Sequence, residues 1–118
     1  MHNFRKLAVW SRSRIFARDV YFLCATVRNP QQRVVTAQLR RSALSISATI
    51  AEGCGKGSRA ETIRYLEIAC GSVAESEHHL LVATDLAILP ERHCLKLADE
   101  APQLRRMLRA LIERLPLS

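Results

Sequence analysis

The sequence has few of the residues that interrupt helices, with only four prolines and four glycines among 118 residues. Most of them fall in three places, which leaves four long segments free to form helices. Aromatic residues are also scarce, at 5 %, so rings are too few for a surface that stacks nucleic-acid bases. No apolar run approaches the length of about 18 residues that a membrane span needs, and we expect no membrane association.

Neither a secretion signal nor a disulfide framework is recognisable. Charged residues interrupt residues 1–14 (MHNFRKLAVWSRSR), where a signal peptide would place its apolar core. The cysteines are widely spaced and form no C-x-x-C pair, which favours reduced, mostly buried thiols over a disulfide or a zinc site. They are Cys24, Cys54, Cys70 and Cys94. We therefore expect one cytoplasmic domain over residues 1–118, with no cofactor and no metal.

The charge balance is strongly one-sided. Lysine and arginine number 18 against 11 aspartates and glutamates, which gives a net charge of +7 and an isoelectric point near 9.9. Small basic domains often bind nucleic acid, because the release of counterions from phosphates favours association. The alternative is a solvated basic surface that only keeps the protein soluble.

Apolar residues recur at helical spacing in each of the four segments. This periodicity predicts helices over about residues 4–27, 30–55, 59–87 and 90–115. Asn3 and Asn29 are candidate N-caps, with Pro30 at the first helical position of the second helix. Ser58 and Glu61 form the S-x-x-E capping box that opens the third helix. Short connections favour antiparallel neighbours, so the predicted fold is all-α, an up-down-up-down four-helix bundle.

Residues 51–58 (AEGCGKGS) place three glycines around a lysine, as a phosphate-binding loop does. The spacing fits neither G-x-x-x-x-G-K-[ST] nor G-x-G-x-x-G, and a helix rather than a strand precedes the cluster. We interpret the glycines as a connection between two helices. Gly55 or Gly57 is expected to adopt the left-handed conformation that ends a helix.

The fourth predicted helix contains Pro102, which should kink or split it. Its apolar stripe is expected to consist of Leu95, Ala98, Leu104, Leu108, Leu111 and Leu115. The second helix is small or apolar on its back as well as on its core face, at Ala37, Leu44, Ser47, Ala48 and Ala51. A helix of this kind is packed on several sides, so we expect it to be central or to lie against another subunit.

Polar residues form a stripe on each of the two middle helices. A structural network between them is the favoured interpretation, with Arg41 paired to Glu75 or Glu67; a ligand cleft is the alternative. The network residues are Gln38, Arg41, Ser45, Glu52 and Glu75.

No catalytic centre is expected. Glu75 and His78 form an E-x-x-H pair, but a di-iron site in a bundle needs a second such pair, which the sequence does not have. No Ser-His-Asp or Cys-His arrangement can be argued from spacing, because each candidate lies on a helix without a nucleophile turn. We therefore expect a protein that is not an enzyme, with a metal enzyme as the disfavoured alternative.

Arginines concentrate on the first helix and at the end of the fourth. The candidate phosphate contacts are Arg12, Arg14, Arg18, Arg105, Arg106 and Arg109. If the two helices are neighbours, one side of the bundle is strongly positive and could hold RNA or DNA by its backbone. The alternative is a scaffold whose basic surface binds an acidic patch of another protein.

Three stretches carry a resemblance to a known family: F-x-x-L-x-V-W at 4–10, QLRRSALSISATIAEGCGKGS at 38–58 and RYLEIACGSVAESE at 64–77. They resemble the four-helix bundle proteins encoded in intervening sequences of bacterial 23S rRNA genes. The resemblance implies an antiparallel four-helix bundle that assembles into a ring-shaped homopentamer. The sequence is also similar to the accessory proteins of diversity-generating retroelements, which implies nucleic acid and a reverse transcriptase as partners.

The resemblance transfers positions but no catalytic roles. The matching positions are Gln38, Arg40, Arg41, Ser45, Ile50, Ala51, Glu52, Gly53, Gly71, Ser72 and Glu75. Thr49 departs from the asparagine that is usual in the family, and Pro102 interrupts a helix that is normally continuous.

Overall fold

The computed structural model describes residues 3–117, which are all-helical and contain no strand. A 3-10 turn, Phe4–Lys6, precedes five α-helices: α1 Ala8–Cys24, α2 Pro30–Cys54, α3 Arg59–Asp85, α4 Glu91–Ala98 and α5 Glu100–Arg114. α2 packs against α1 and α3, α3 packs against α4 and α5, and α1 closes the bundle on α4 and α5. The molecule is an elongated bundle of 50 × 22 × 19 Å, in which α4 and α5 together take the place of one helix.

The helices run antiparallel to their neighbours. Between α2 and α3, Ser42 meets Ser76, Ser45 meets Ser72, and the carbonyl of Gly53 accepts a hydrogen bond from Thr62 near the connection. The core between the helices is apolar. Its fully buried side chains include Val20, Leu39, Ile46, Ile50, Leu66, Val73, Leu80, Leu104 and Leu108. The helix-bundle prediction is confirmed.

The first helix begins later than predicted. Asn3 Oδ1 accepts a hydrogen bond from the Arg5 N–H at 3.1 Å, so this asparagine caps the 3-10 turn and not α1. The chain is extended at Leu7, with φ −83° and ψ 124°, and α1 therefore begins at Ala8. Its end at Cys24, three residues before the predicted end, is followed by hydrogen-bonded turns at residues 25–27.

The starts of α2 and α3 are confirmed, but the expected left-handed glycine is wrong. Asn29 Oδ1 accepts from two backbone N–H groups at the start of α2, and Ser58 Oγ accepts from Glu61 N–H at 3.2 Å. Gly55 has φ −86°, and no glycine among the described residues has a positive φ. The chain leaves α2 through a right-handed turn, in which Gly55 N–H bonds to the Glu52 carbonyl at 3.1 Å.

The left-handed helix end occurs instead at the end of α3, on Ala87 with φ 55°. Ile88 N–H donates to the Ala83 carbonyl at 2.9 Å, and Ala87 N–H donates to the Thr84 carbonyl at 3.0 Å. These two bonds define a Schellman motif, whose left-handed position is usually glycine. An alanine there carries a steric strain of roughly 1–2 kcal/mol between its Cβ and the backbone.

We expect Ala87→Gly to raise the free energy of unfolding by about 1 kcal/mol, because relief of the strain exceeds the entropy that glycine adds to the unfolded chain. Urea denaturation followed by circular dichroism measures the change. Ala74→Gly is the matched control, since Ala74 is exposed in the middle of α3 and glycine there should cost about 1 kcal/mol. Equal losses in the two variants would contradict the prediction.

Pro102 splits the fourth predicted helix, as expected. The break lies at Asp99, which places Pro102 in the first turn of α5, where a missing N–H leaves no intrahelical bond unmade. The apolar stripe continues across the break at spacings of three and four residues, and its buried members include Ala98, Ala101, Leu104, Leu108, Leu111 and Leu115. Leu95 is 45 % exposed, contrary to prediction, and Cys94 is buried in its place.

All four cysteines are buried, as the sequence indicated. Burial raises the pKa of each thiol, and that of Cys24 rises to about 11. Each thiol therefore keeps its proton near neutral pH, which makes it a poor nucleophile.

Candidate nucleic-acid interface

The arginines that the sequence offered as phosphate contacts make ion pairs within the bundle in most cases. Arg12 Nη2 lies 2.8 Å from Glu100 Oε2 and connects α1 to α5. Arg105 Nη1 lies 2.9 Å from Glu77 Oε1 and connects α5 to α3. These arginines lie at contacts between helices, which explains why each meets a carboxylate.

Two further candidates are paired more loosely. Arg109 Nη1 lies 3.6 Å from Glu67 Oε2 on α3, and Arg18 bonds to the adjacent Asp19 at 3.1 Å. All four side chains are substantially exposed, so each pair contributes little to stability, in the range of about 0–1 kcal/mol. A paired arginine presents less net charge to a phosphate, because the carboxylate beside it opposes the same field.

The remaining two candidates, Arg14 and Arg106, make no ion pair within residues 3–117. The guanidinium carbon of Arg14 lies 4.6 Å from the centroid of the Trp10 ring, and Arg106 Nη2 donates to Gln103 Oε1 at 2.7 Å. Both side chains are exposed, on α1 and α5 respectively. Four of the six candidate arginines are therefore accompanied by a carboxylate within residues 3–117.

Four of the 18 basic side chains pair with a carboxylate within residues 3–117, and the other fourteen do not. The unpaired ones are Arg5, Lys6, Arg14, Arg28, Arg33, Arg40, Arg41, Lys56, Arg59, Arg64, Arg92, Lys96, Arg106 and Arg114. Seven acidic side chains are left to oppose them. The excess positive charge therefore lies mainly outside the arginines that the sequence singled out.

Serine hydroxyls connect α2 to α3. The hydroxyls of Ser42 and Ser76 lie 2.9 Å apart, and Ser45 donates to Ser72 across 2.7 Å. Serine side chains are short, so the two helix backbones can approach closely. Of the predicted network, Ser45 alone makes a polar contact across this interface within residues 3–117.

The predicted pairing of Arg41 with Glu75 or Glu67 is wrong. Arg41 Nη2 donates to Gln38 Oε1 on the same helix at 3.4 Å, and Glu75 Oε2 lies 3.2 Å from His79 Nε2 on its own helix. Arg41 and Glu75 are both exposed on the outer surface, where a neighbour one turn away is nearer than a residue on the other helix.

The E-x-x-H pair does not assemble either. Glu75 contacts His79 and not His78, and Glu52 is exposed without a side-chain partner among residues 3–117. Within the same part of the chain, no three His, Cys, Asp or Glu side chains converge as a metal site requires. Also among residues 3–117, no helix has both the length and the apolar character needed to cross a bilayer.

A group of cations that the sequence did not suggest as a site lies where α2 turns into α3. The 3-10 turn before α1 contacts α2 at the same end of the bundle. We call this region the hinge end: it consists of residues 4–6, the connection 55–58 and the first turns of α3, residues 59–65. Its unpaired cations are Arg5, Lys6, Lys56, Arg59 and Arg64.

Two cations of the hinge end lie close to the ring of Tyr65. Lys56 Nζ lies 4.8 Å and the Arg64 guanidinium carbon 5.1 Å from the centroid of its ring. A Cβ placed on Gly53 would lie only 2.8 Å from Tyr65 Cβ. The backbones of α2 and α3 therefore approach closely here, and this contact fixes the position of Tyr65 Cβ. Lys56 lies in the connection and Arg64 lies on α3, so the path of the chain between the two helices brings them to one ring.

Comparison with known proteins agrees with this architecture. The family model described as 23S rRNA-intervening sequence protein matches residues 5–110. The chain belongs to that family. The resemblance that the sequence motifs indicated is therefore confirmed for nearly the whole of the described bundle.

A solved structure is also similar to this chain. It is a protein of unknown function from the S23 ribosomal protein family of Bacteroides thetaiotaomicron, 26 % identical to this chain. The match covers 90 % of this chain and 99 % of that one, with a TM-score of 0.82. No curated protein matches the sequence.

Proposed function

We propose that the protein is a homo-oligomeric four-helix bundle, not an enzyme, that binds RNA or DNA through backbone phosphates. The observation that carries the proposal is the excess of unpaired cations, fourteen against seven acids, on a bundle with no more than a few exposed rings. Phosphate contacts need only such cations and bring no base specificity. The protonated thiols support the absence of cysteine-based catalysis.

Self-assembly is the second part of the proposal. The outer face of α2 presents Val34, Ala37, Leu44 and Ala48 to solvent, with Leu44 58 % exposed. A second copy of the chain fits this face, since small side chains along a helix allow another helix to approach. Five copies in a ring are what the family resemblance implies, and a ring would place the cations of each copy around one axis, where their fields add.

A protein partner is the alternative, and one observation favours it. Tyr21 and Phe22 stand exposed on α1 with ring centroids 5.6 Å apart, and Phe22 is 63 % exposed. Exposed aromatic pairs are typical of protein interfaces. The scaffold hypothesis would use this pair to hold another protein, such as the reverse transcriptase that the resemblance to retroelement accessory proteins implies.

Fluorescence anisotropy with a labelled single-stranded RNA across a salt series tests the proposed function. We expect the logarithm of the association constant to fall linearly with the logarithm of salt concentration, by about 0.7 for each phosphate contact. Light scattering on the same sample should give a mass several times the 13.3 kDa of one chain. Affinity that does not change with ionic strength would contradict phosphate binding, and a mass of one chain would contradict assembly.

A further inference from the structure

The two ends of the bundle differ in their unpaired charge. The hinge end has the five cations defined above, opposed by Glu52 and Glu61. The opposite end, where α1 finishes and α4 begins, carries four cations, Arg28, Arg33, Arg92 and Lys96, opposed by two acids, Asp85 and Glu91. The net charge of the hinge end is therefore larger, and its positive potential exceeds that of the opposite end.

The geometry of the hinge end also orders its cations. Lys56 and Arg64 both lie about 5 Å from one ring centroid, which keeps their charged groups within about 10 Å of each other. Cation–π contacts of this kind hold the head groups without neutralising them. A carboxylate partner would hold them as well, but it would cancel the charge that a phosphate needs.

Arg59 adds a further cation at the start of α3. Its Nε is buried and has no hydrogen-bond partner among residues 3–117, at the first position of α3. The N-terminus of α3 adds partial positive charge from its backbone N–H groups, although Ser58 already satisfies one of them. The hinge end thus combines two cations held near one ring, a further guanidinium at the start of α3 and a favourable helix dipole.

We propose that the hinge end is the main contact for the phosphate backbone of a nucleic-acid strand, with Lys56 and Arg64 as the principal phosphate ligands. This proposal rests on the proposed function and adds the location of the contact. Tyr65 is half-buried and has cations over its ring, so it positions Lys56 and Arg64 and offers no surface for stacking a base. The contact therefore depends on the charge of the phosphates and has no base specificity.

The test compares two double variants that remove the same charge. Lys56→Gln/Arg64→Gln changes the hinge end, and Arg28→Gln/Arg92→Gln removes two unpaired cations from the opposite end. Binding of a labelled single-stranded RNA is measured by anisotropy across a salt series. Loss of two phosphate contacts should reduce the salt slope by about 1.4 and weaken binding by roughly 10- to 30-fold at about 0.1 M salt, while the control stays near wild type.

Equal, small losses in both double variants would overturn the proposal and leave the proposed function standing, because binding would then be spread over the whole surface. If the wild-type protein does not bind the RNA, both this proposal and the proposed function are contradicted. A DNA of the same sequence should bind as the RNA does, and a preference above about tenfold would contradict a backbone contact.

Circular dichroism shows whether the variants remain folded. Arg64→Gln alone is a second test that should not affect folding, since this side chain is exposed and makes no ion pair among residues 3–117. It should lower the salt slope by about 0.7, the amount expected for one phosphate contact. An unchanged slope in this single variant would also overturn the proposal.

Discussion

Replacing Leu80 with alanine will lower the free energy of unfolding by about 2–5 kcal/mol. Leu80 lies on α3 with no exposed surface, among the fully buried side chains of the core. α3 contacts α2, α4 and α5, so a cavity at this position removes apolar contacts at the centre of the bundle. Urea or thermal denaturation followed by circular dichroism measures the loss.

Leu81→Ala provides the control for the same substitution on the same helix. Leu81 is the next residue and is 43 % exposed, so its truncation should change the free energy of unfolding by no more than about 0.5 kcal/mol. Similar losses at the two positions would mean that the face of α3 assigned to the core is wrong.

Gly53→Ala is expected to destabilise the protein by about 1–3 kcal/mol, although alanine favours helices over glycine. The new methyl group would lie 2.8 Å from Tyr65 Cβ, and a Cβ atom moves only if its backbone moves. α2 and α3 would have to separate at the hinge end, and the hydrogen bond from Thr62 to the Gly53 carbonyl would lengthen. Denaturation curves give the loss of stability.

Gly71→Ala should change the free energy of unfolding in the opposite direction, toward greater stability. Gly71 is exposed within α3, its φ is not positive, and a Cβ there would meet no atom within 4 Å. Alanine should therefore stabilise the protein by about 0.4–1 kcal/mol, by reducing the freedom of the unfolded chain. If Gly53→Ala stabilised to the same extent, the close approach of α2 to α3 would be refuted.

Helix positions could be predicted from the sequence because their signals are local. The caps at Asn29 and Ser58 act on N–H groups two or three residues away, and apolar spacing reports the buried face directly. Pro102 likewise acts on its own helix, so the split was foreseeable. The exact position of the break was not foreseeable, and Leu95 was assigned to the core although its neighbour Cys94 is the buried residue.

Side-chain partners across helices could not be predicted in the same way. Whether Arg41 reaches Glu75 depends on the rotation and separation of two helices, and a small change decides between a partner on the next helix and one a single turn away. The group around Tyr65 could not be predicted for the same reason, because Lys56 lies in the connection between α2 and α3, whose path the pattern of residues does not define. Total charge was evident from composition, but its distribution required the fold.

The serine contacts between α2 and α3 give the bundle a mechanical property. Two helices of 25 and 27 residues, in close contact from Ser42 to Gly53, form a stiff arm roughly 40 Å long at 1.5 Å per residue. In an assembly with rotational symmetry, such arms would place the hinge ends of all copies at the same level along the symmetry axis. A polyanion long enough to bridge neighbouring arms would then gain avidity, since each bound segment raises the local concentration of the next.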